Sequence, residues 1–230
     1  PGCNLHRSPF GGRAFEYPSE DPILTGYTEA YETLGIESKG CLAYVKHFAL
    51  NDFETNRVNC GVWSTEQATR EIYLKAFEIV FRVGKASATM NSYTRIGTKW
   101  NGACEAMMKD ILRTEWGYDG IVISDWDTDG SGMSKIDGVL AGTNSFDGNR
   151  TKEELIKYKD NAKVCQAMRE SCKIIIYNVV RTNAMNGVTL SSMVVPVTPW
   201  WQTALVVIQF SFGSLTLVSL VFLVINIIKK

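Results

Sequence analysis

Apolar positions alternate between two patterns along the first two thirds of the chain. Short runs at residues 41–45, 87–91 and 120–124, the last rich in β-branched residues, read as buried segments bounded by polar residues and Gly. Runs of that length and composition read as strands buried on both faces, as in parallel sheets. Around them, apolar residues recur every three or four positions and predict helices. Asp21 and Pro22 suit an N-cap and first helical position, opening a helix to about residue 35 that carries Tyr27, Ala30, Tyr31 and Leu34. A second helix spans residues 66–83 with Ile72, Leu74, Phe77, Ile79 and Val80. A third spans 101–116 with Ala106, Met107, Ile111 and Leu112, and Gly117 is placed to stop it. Residues 1–22 and 48–65 read as loops. Further on, the pattern predicts a short helix at 134–140, a weak strand at 143–146, and helices at 151–158 and 160–183. The last of these places Ala162, Cys165, Met168, Cys172, Ile175, Ile176 and Val179 on one broad face.

Strands alternating with helices imply a parallel sheet with helical crossovers, hence an α/β fold. Each strand runs into chemically capable groups: Lys46-His47, Tyr93 and Asp125-Trp126. In a (β/α)8 TIM-type barrel such C-terminal strand ends converge on one mouth. A doubly wound sheet is the alternative, but its Gly-rich phosphate fingerprint is missing, and Gly130-Ser131-Gly132 does not supply one.

The C-terminal pattern differs. Residues 204–228 form an uncharged run of about 25 residues, long enough to span a bilayer as a transmembrane helix. Trp200 and Trp201 precede it as interfacial aromatics do, and Lys229-Lys230 closes it. The Lys pair predicts a cytoplasmic C-terminus, with the soluble part outside the cell membrane. The expected organisation is a domain over residues 1–190, a juxtamembrane linker at 191–203 and the span at 204–228.

Composition narrows the picture further. The 230 residues carry 24 basic and 24 acidic side chains, which gives no electrostatic case for nucleic acid. Six Cys lie far apart without a C-x-x-C pair, so no metal site or redox motif is expected, and Cys41, in an apolar run, reads as a buried free thiol. A lone Asn149-Arg150-Thr151 sequon is an expected chance match in a chain this long. The chain opens at Pro1 and is expected to be a piece of a longer polypeptide.

Six ordered motifs then carry a family resemblance. Asn4-Leu5-His6-Arg7-Ser8-Pro9, with Gly11-Gly12-Arg13, Glu16-Tyr17 and Ser19-Glu20-Asp21-Pro22, is the first. Lys46-His47-Phe48 with Asn51 and Glu54-Thr55-Asn56-Arg57 is the second. Arg70-Glu71-Ile72-Tyr73-Leu74, Met90-Asn91-Ser92-Tyr93, Glu115-Trp116-Gly117-Tyr118-Asp119-Gly120 and Ser124-Asp125-Trp126 follow. Over about residues 1–190 the chain resembles glycoside hydrolase family 3, the β-glucosidase family. The stretch 169–177 and the run 183–187, followed by a membrane span, are similar to a permuted branch in which the barrel ends the protein.

The resemblance implies a retaining mechanism without cofactor. Asp125 matches the nucleophile, which would form a covalent glycosyl-enzyme. Arg13, Lys46, His47, Arg57 and Tyr93 match positions that bind the sugar, and Trp126 offers its indole face to the pyranose ring. Nearby positive charge is expected to keep the Asp ionised. Taken singly, His47 and Tyr93 also suit packed residues and Arg57 a loop clamp, while Glu16 and Glu20 read as structural. The family's first barrel strands would precede Pro1, so the barrel is expected to be incomplete at its N-terminus, and the acid/base would lie in a domain outside this chain. Glu54, beside Arg57, and Asp127 and Asp129, close behind the nucleophile, are poor candidates for that acid. The expected partners are a carbohydrate substrate, the membrane and the preceding part of the same polypeptide. Two other functions compete. A β-N-acetylhexosaminidase of the family needs a loop His that this chain lacks, since Phe48 leads into Ala49-Leu50-Asn51-Asp52 and His6 and His47 are its two histidines. A non-catalytic, membrane-tethered sugar-binding protein is the other.

Overall fold

The computed structural model describes residues 1–127, 130–148, 151–186, 189, 191–193 and 195–229. Asp129, the Asn149 and Arg150 of the sequon, Gly187 and Lys230 therefore lie outside the described residues. The chain divides into two units, Pro1–Gly187 and Val188–Lys230. In the first, the elements follow in the order α1 (Pro22–Glu37), β1 (Tyr44–Phe48), β2 (Gly61–Val62), α2 (Glu66–Ala68), α3 (Lys75–Arg82), β3 (Ala88–Asn91), β4 (Arg95–Ile96), β5 (Lys99–Trp100), a π-wound helix (Ala106–Glu115), β6 (Ile121–Ile123), α4 (Lys135–Ala141), α5 (Thr151–Leu155) and α6 (Ala162–Val179). The second contains α7 (Trp200–Ile228).

The core is the parallel sheet β1-β3-β6, with Val45 opposite Thr89 and Thr89 opposite Val122. Parallel bridges extend it on both sides, Gly2 to Lys46 and Ile123 to Ser145. Five backbone segments thus run side by side in one direction, as the alternating pattern implies. Val45, Phe48, Ala88, Thr89 and Val122 are fully buried, because helices cover the sheet. Phe48 meets Phe77, Phe81 and Trp116 edge-on, at ring separations of 5.3, 5.9 and 6.0 Å. Burying one such side chain is worth roughly 1.5–3 kcal/mol.

Helix ends follow the expected chemistry. Asp21 caps α1 by accepting from the backbone N–H of Ile23 at 2.7 Å. Gly117, at φ +65°, turns the chain out of the π-wound helix, and Gly142, at φ +113°, ends α4 in the left-handed region. The motif residue Arg70 bonds both carboxylate oxygens of Glu115, at 2.6 and 3.0 Å, so two separate motifs meet on the helical layer.

Several expectations are corrected. The first strand is Tyr44–Phe48 rather than 41–45, because pairing starts where Tyr44 meets Ala88; Lys46 and His47 lie within it. The Lys46–His47 and Phe48–Ala49 peptides are cis. Cys41 is exposed, and Cys3 is the buried thiol. The loop after β1 contains β2, which pairs in parallel with β4. The weak strand at 143–146 reduces to the bridge at Ser145. The third helix starts as a 3-10 turn at Asn101–Ala103 before its π-wound body. The last helix of the unit is Ala162–Val179, capped by Asn161. Its buried positions are Val164, Ser171 and Asn178, spaced seven apart, while Cys172 and Ile176 face outward. Asn178 is buried because its amide donates to the carbonyl of Asp119 at 2.9 Å. On α1 three of the four expected apolar positions face outward: Tyr27, Tyr31 and Leu34 are exposed, while Ala30 is buried as expected, together with Thr25, Gly26, Glu29 and Thr33.

Candidate active site

Asp125 follows Ser124 directly after β6, at its C-terminal end. There its Oδ1 accepts the Trp126 backbone N–H at 2.7 Å. Its Oδ2 lies 3.5 Å from Nε2 of His47, which β1 presents from two strands away. His47 is held by Asn4: the His47 N–H donates to Asn4 Oδ1 at 2.8 Å and the Asn4 amide donates to the His47 carbonyl at 3.1 Å.

A ladder of alternating charge surrounds this pair. Glu16 accepts from Lys46 Nζ and Arg13 Nε, each at 2.6 Å. Arg13 Nη1 reaches His47 Nε2 at 3.0 Å and lies 3.8 Å from Glu54. Glu54 pairs with Arg57 at 3.0 Å and accepts from the Asn51 amide at 2.9 Å. The Arg57 guanidinium stacks 4.4 Å over the Tyr93 ring, and the Tyr93 hydroxyl donates to the Trp126 carbonyl. Trp126 itself is 50% exposed, leaving an indole face open. Arg13, Lys46, His47, Arg57, Tyr93, Asp125 and Trp126 therefore form one connected cluster, although they come from four separate stretches of sequence.

The electrostatics differ from the simple expectation. Burial raises the pKa of Asp125; the Trp126 N–H and the charges of Arg57, Arg13 and Lys46 oppose that rise without cancelling it. Burial, followed by the same three cations, pushes His47 down to about 2, so its imidazole is neutral and its contact with Asp125 is no ion pair. Glu16 is partly desolvated, yet the hydrogen bonds from Lys46 and Arg13 hold it below its ordinary value.

In the sequence Glu16 reads as structural, and Asn4, Tyr17 and Asn51 carry no role beyond their motifs. Glu16 orients two cations at once. Tyr17 contacts Nδ1 of His47 at 3.4 Å and donates to the Asn51 carbonyl at 3.2 Å. All four lie inside the quoted motifs, which is the signal that could have found them. Asp127 is buried and bonded to Lys135 and Ser131, and Lys135 also pairs with Glu154 at 3.0 Å. Among the described residues, no cluster of three or more His, Cys, Asp or Glu is arranged to hold a metal ion.

Residues 3–164, well over half of the chain, match the family description "Glycosyl hydrolase family 3 N terminal domain". The chain belongs to glycosyl hydrolase family 3. Among family 3 relatives, beta-glucosidase A of Butyrivibrio fibrisolvens is 41% identical over 160 residues, covering 70% of this chain and 19% of the relative. An exo-alpha-(1->6)-L-arabinopyranosidase of Bifidobacterium longum is 43% identical over 129 residues, covering 56% and 17%. The solved structure of beta-glucosidase 3B from Thermotoga neapolitana in complex with glucose superposes with a TM-score of 0.76 at 32% identity. That superposition covers 81% of this chain and 27% of the other. The chain thus spans under a fifth of the length of these two relatives.

Proposed function

We propose that this chain carries the nucleophile and sugar-binding wall of a retaining glycosidase that removes terminal β-linked, glucose-like residues. The observation that carries the reading is Asp125 at a strand's C-terminal end, facing His47 and ringed by Arg13, Lys46 and Arg57. Asp125 attacks the anomeric carbon, the leaving group departs, and water later releases the sugar from the glycosyl-enzyme. Arg13, Lys46 and Arg57 donate to hydroxyls, and Trp126 lies under the apolar C–H face of the ring. Five parallel segments supply part of the barrel, and the reading closes it into a (β/α)8 TIM-type barrel with strands from the rest of a longer polypeptide. In support, the chain covers 27% of the solved neighbour.

The test is a 2-deoxy-2-fluoro-glycoside with an activated leaving group, offered in the glucopyranose and arabinopyranose series because relatives carry both names. Mass spectrometry is expected to find the label on the peptide holding Asp125, and Asp125→Asn is expected to abolish it. Label on a different carboxylate would sink the assignment. Complete absence of label in a folded protein would favour the non-catalytic sugar-binding reading. The hexosaminidase reading draws no support from His47, which is buried and neutral.

We also propose that α7 crosses a bilayer, with Lys229 on the cytoplasmic side and the family 3 unit outside. Its 29 residues have a mean hydropathy of 2.2 over the most apolar window and none of that window is buried. At 1.5 Å per residue it is long enough for a hydrocarbon core of about 30 Å. Alkaline carbonate is expected to leave the protein in the membrane pellet; release into the supernatant would count against the span.

A further inference from the structure

The His47 imidazole is enclosed by groups whose hydrogen-bonding roles are fixed by their chemistry. On one edge, Arg13 Nη1 lies 3.0 Å from Nε2. A guanidinium has donors only, so Nε2 must offer its lone pair. On the other edge, the Tyr17 hydroxyl lies 3.4 Å from Nδ1. That hydroxyl donates to the Asn51 carbonyl at 3.2 Å and accepts from the Asn51 amide at 3.4 Å. A hydroxyl has one donor and two acceptor sites, so the remaining site accepts, and Nδ1 must bring the proton. Two independent partners therefore demand the same ring.

We propose that Tyr17 is a positioning residue that locks His47 as its Nδ1–H tautomer, so that Nε2 receives Arg13 and aims the guanidinium. The opposite tautomer would set Nε2–H against the Arg13 N–H at 3.0 Å, with Asp125 Oδ2, at 3.5 Å, too distant to take that proton in a good hydrogen bond. It would also turn the Nδ1 lone pair toward a hydroxyl whose proton is committed to Asn51. Asn4 fixes the His47 backbone from both sides, at 2.8 and 3.1 Å, and the ring itself is buried. Since Nε2 is occupied by Arg13, His47 gives no hydrogen bond to Asp125 Oδ2 at 3.5 Å, and that oxygen stays available. The groups facing the ring are Arg13, Lys46, Arg57, Tyr17 and Asp125, and none of them needs the ring to be charged.

The tautomer stands on geometry alone; its importance for orienting Arg13 toward a sugar rests on the proposed function. The experiment is a two-bond 1H–15N correlation spectrum of the full chain in detergent, with 15N-labelled histidine. The two ring systems are told apart with His6→Asn. His47 is expected to show a pyrrole-like Nδ1 and a pyridine-like Nε2, unchanged between pH 5 and pH 8. In Tyr17→Phe Arg13 is left as the one remaining bias on the ring, and both nitrogens are expected to move part of the way toward mixed-tautomer values. A pyrrole-like Nε2 in the unmodified protein overturns the inference without need of any variant. So does a folded Tyr17→Phe whose His47 signals superimpose on the original. Failure of Asp125 to take a glycosyl label while the tautomer is as stated would sink the functional reading alone. A reversed tautomer with Asp125 labelled would sink this inference alone.

Discussion

Asp125 has to be ionised to attack, yet its burial works against the charged form. Burial raises its pKa, and Arg57 is the strongest of the three cations opposing that rise. Labelling by an activated glycoside is therefore expected to increase with pH through a pKa above the ordinary Asp value. Removing a cation moves that limb further up, because the carboxylate loses favourable charge. In Arg57→Met the acidic limb of the labelling rate against pH is expected to shift to higher pH, whatever the change in sugar affinity. A limb that stays in place, or moves down, would show that Arg57 does not act on Asp125. The identities of Asp125, Lys46, His47 and Arg57 were legible because each sits in a short motif. The electrostatic state was not. That depends on burial and on contacts such as Asn4 with His47, 43 residues apart in the chain, which no local pattern encodes.

At the scale of elements, alternation and caps were readable, while the buried face of a helix sometimes was not. On α1 the large apolar residues face outward, and the helix packs through Gly26 and Ala30 against α3 and its following turn, where Ile79 and Gly84 leave room for nothing larger. Periodicity finds the bulky stripe; close helix packing selects the small one. That choice also buries Glu29, whose Oε2 has no hydrogen-bond partner among the described residues. Burial, then the charge of Glu32, pushes Glu29 up to about 7. The sign follows from linkage. Between its unfolded pKa and about 7 the folded state keeps a proton that the unfolded state releases, so stability falls as pH rises through that window. Glu29→Gln removes this dependence. Its stability relative to the unmodified protein is expected to change little below the ordinary Glu pKa of 4.5, to rise from there to about pH 7, and to stand roughly 1–3 kcal/mol higher by pH 8. Urea unfolding followed by far-UV circular dichroism at pH 4 and pH 8 measures it. A pH-independent difference would mean that Glu29 is not desolvated. The Asp52 carboxyl, raised to about 6 by burial, contributes in the same direction and cancels in the comparison.

For the molecule as a whole, the parallel sheet and the long apolar helix were legible, since both are written in run length and hydropathy. The arrangement of carboxylates was not, and it governs what the chain can do alone. Retention with an unactivated leaving group needs two carboxyls about 5–5.5 Å apart, one of them able to give a proton. The described carboxylates that join Asp125 in the cluster or follow it closely are all committed. Glu16 is held by Lys46 and Arg13, each at 2.6 Å, Glu54 by Arg57 at 3.0 Å and the Asn51 amide, and Asp127 by Lys135 and Ser131. A carboxylate whose oxygens are held by cations and amide or hydroxyl donors is engaged as an acceptor. The chain is therefore expected to separate leaving groups. A 2,4-dinitrophenyl glycoside departs without protonation, so Asp125 can be glycosylated and a burst of phenolate is expected. The step that follows is expected to be slow, because none of these three carboxylates is free to activate water, and added azide, which needs no base, is expected to restore turnover. An alkyl glycoside or a disaccharide needs the proton, and positioned proton transfer contributes about 10²–10⁴-fold, so its hydrolysis is expected to fall by at least that range below that of a longer family 3 enzyme. Stopped-flow and steady-state assays of the two substrate classes on the same preparation make the comparison. A burst with the aryl glycoside shows that the site is folded, so weak alkyl turnover then reports chemistry alone. Equal efficiency on both classes would place a working acid inside this chain, and would return Glu54 and Asp127 to candidacy despite their cations.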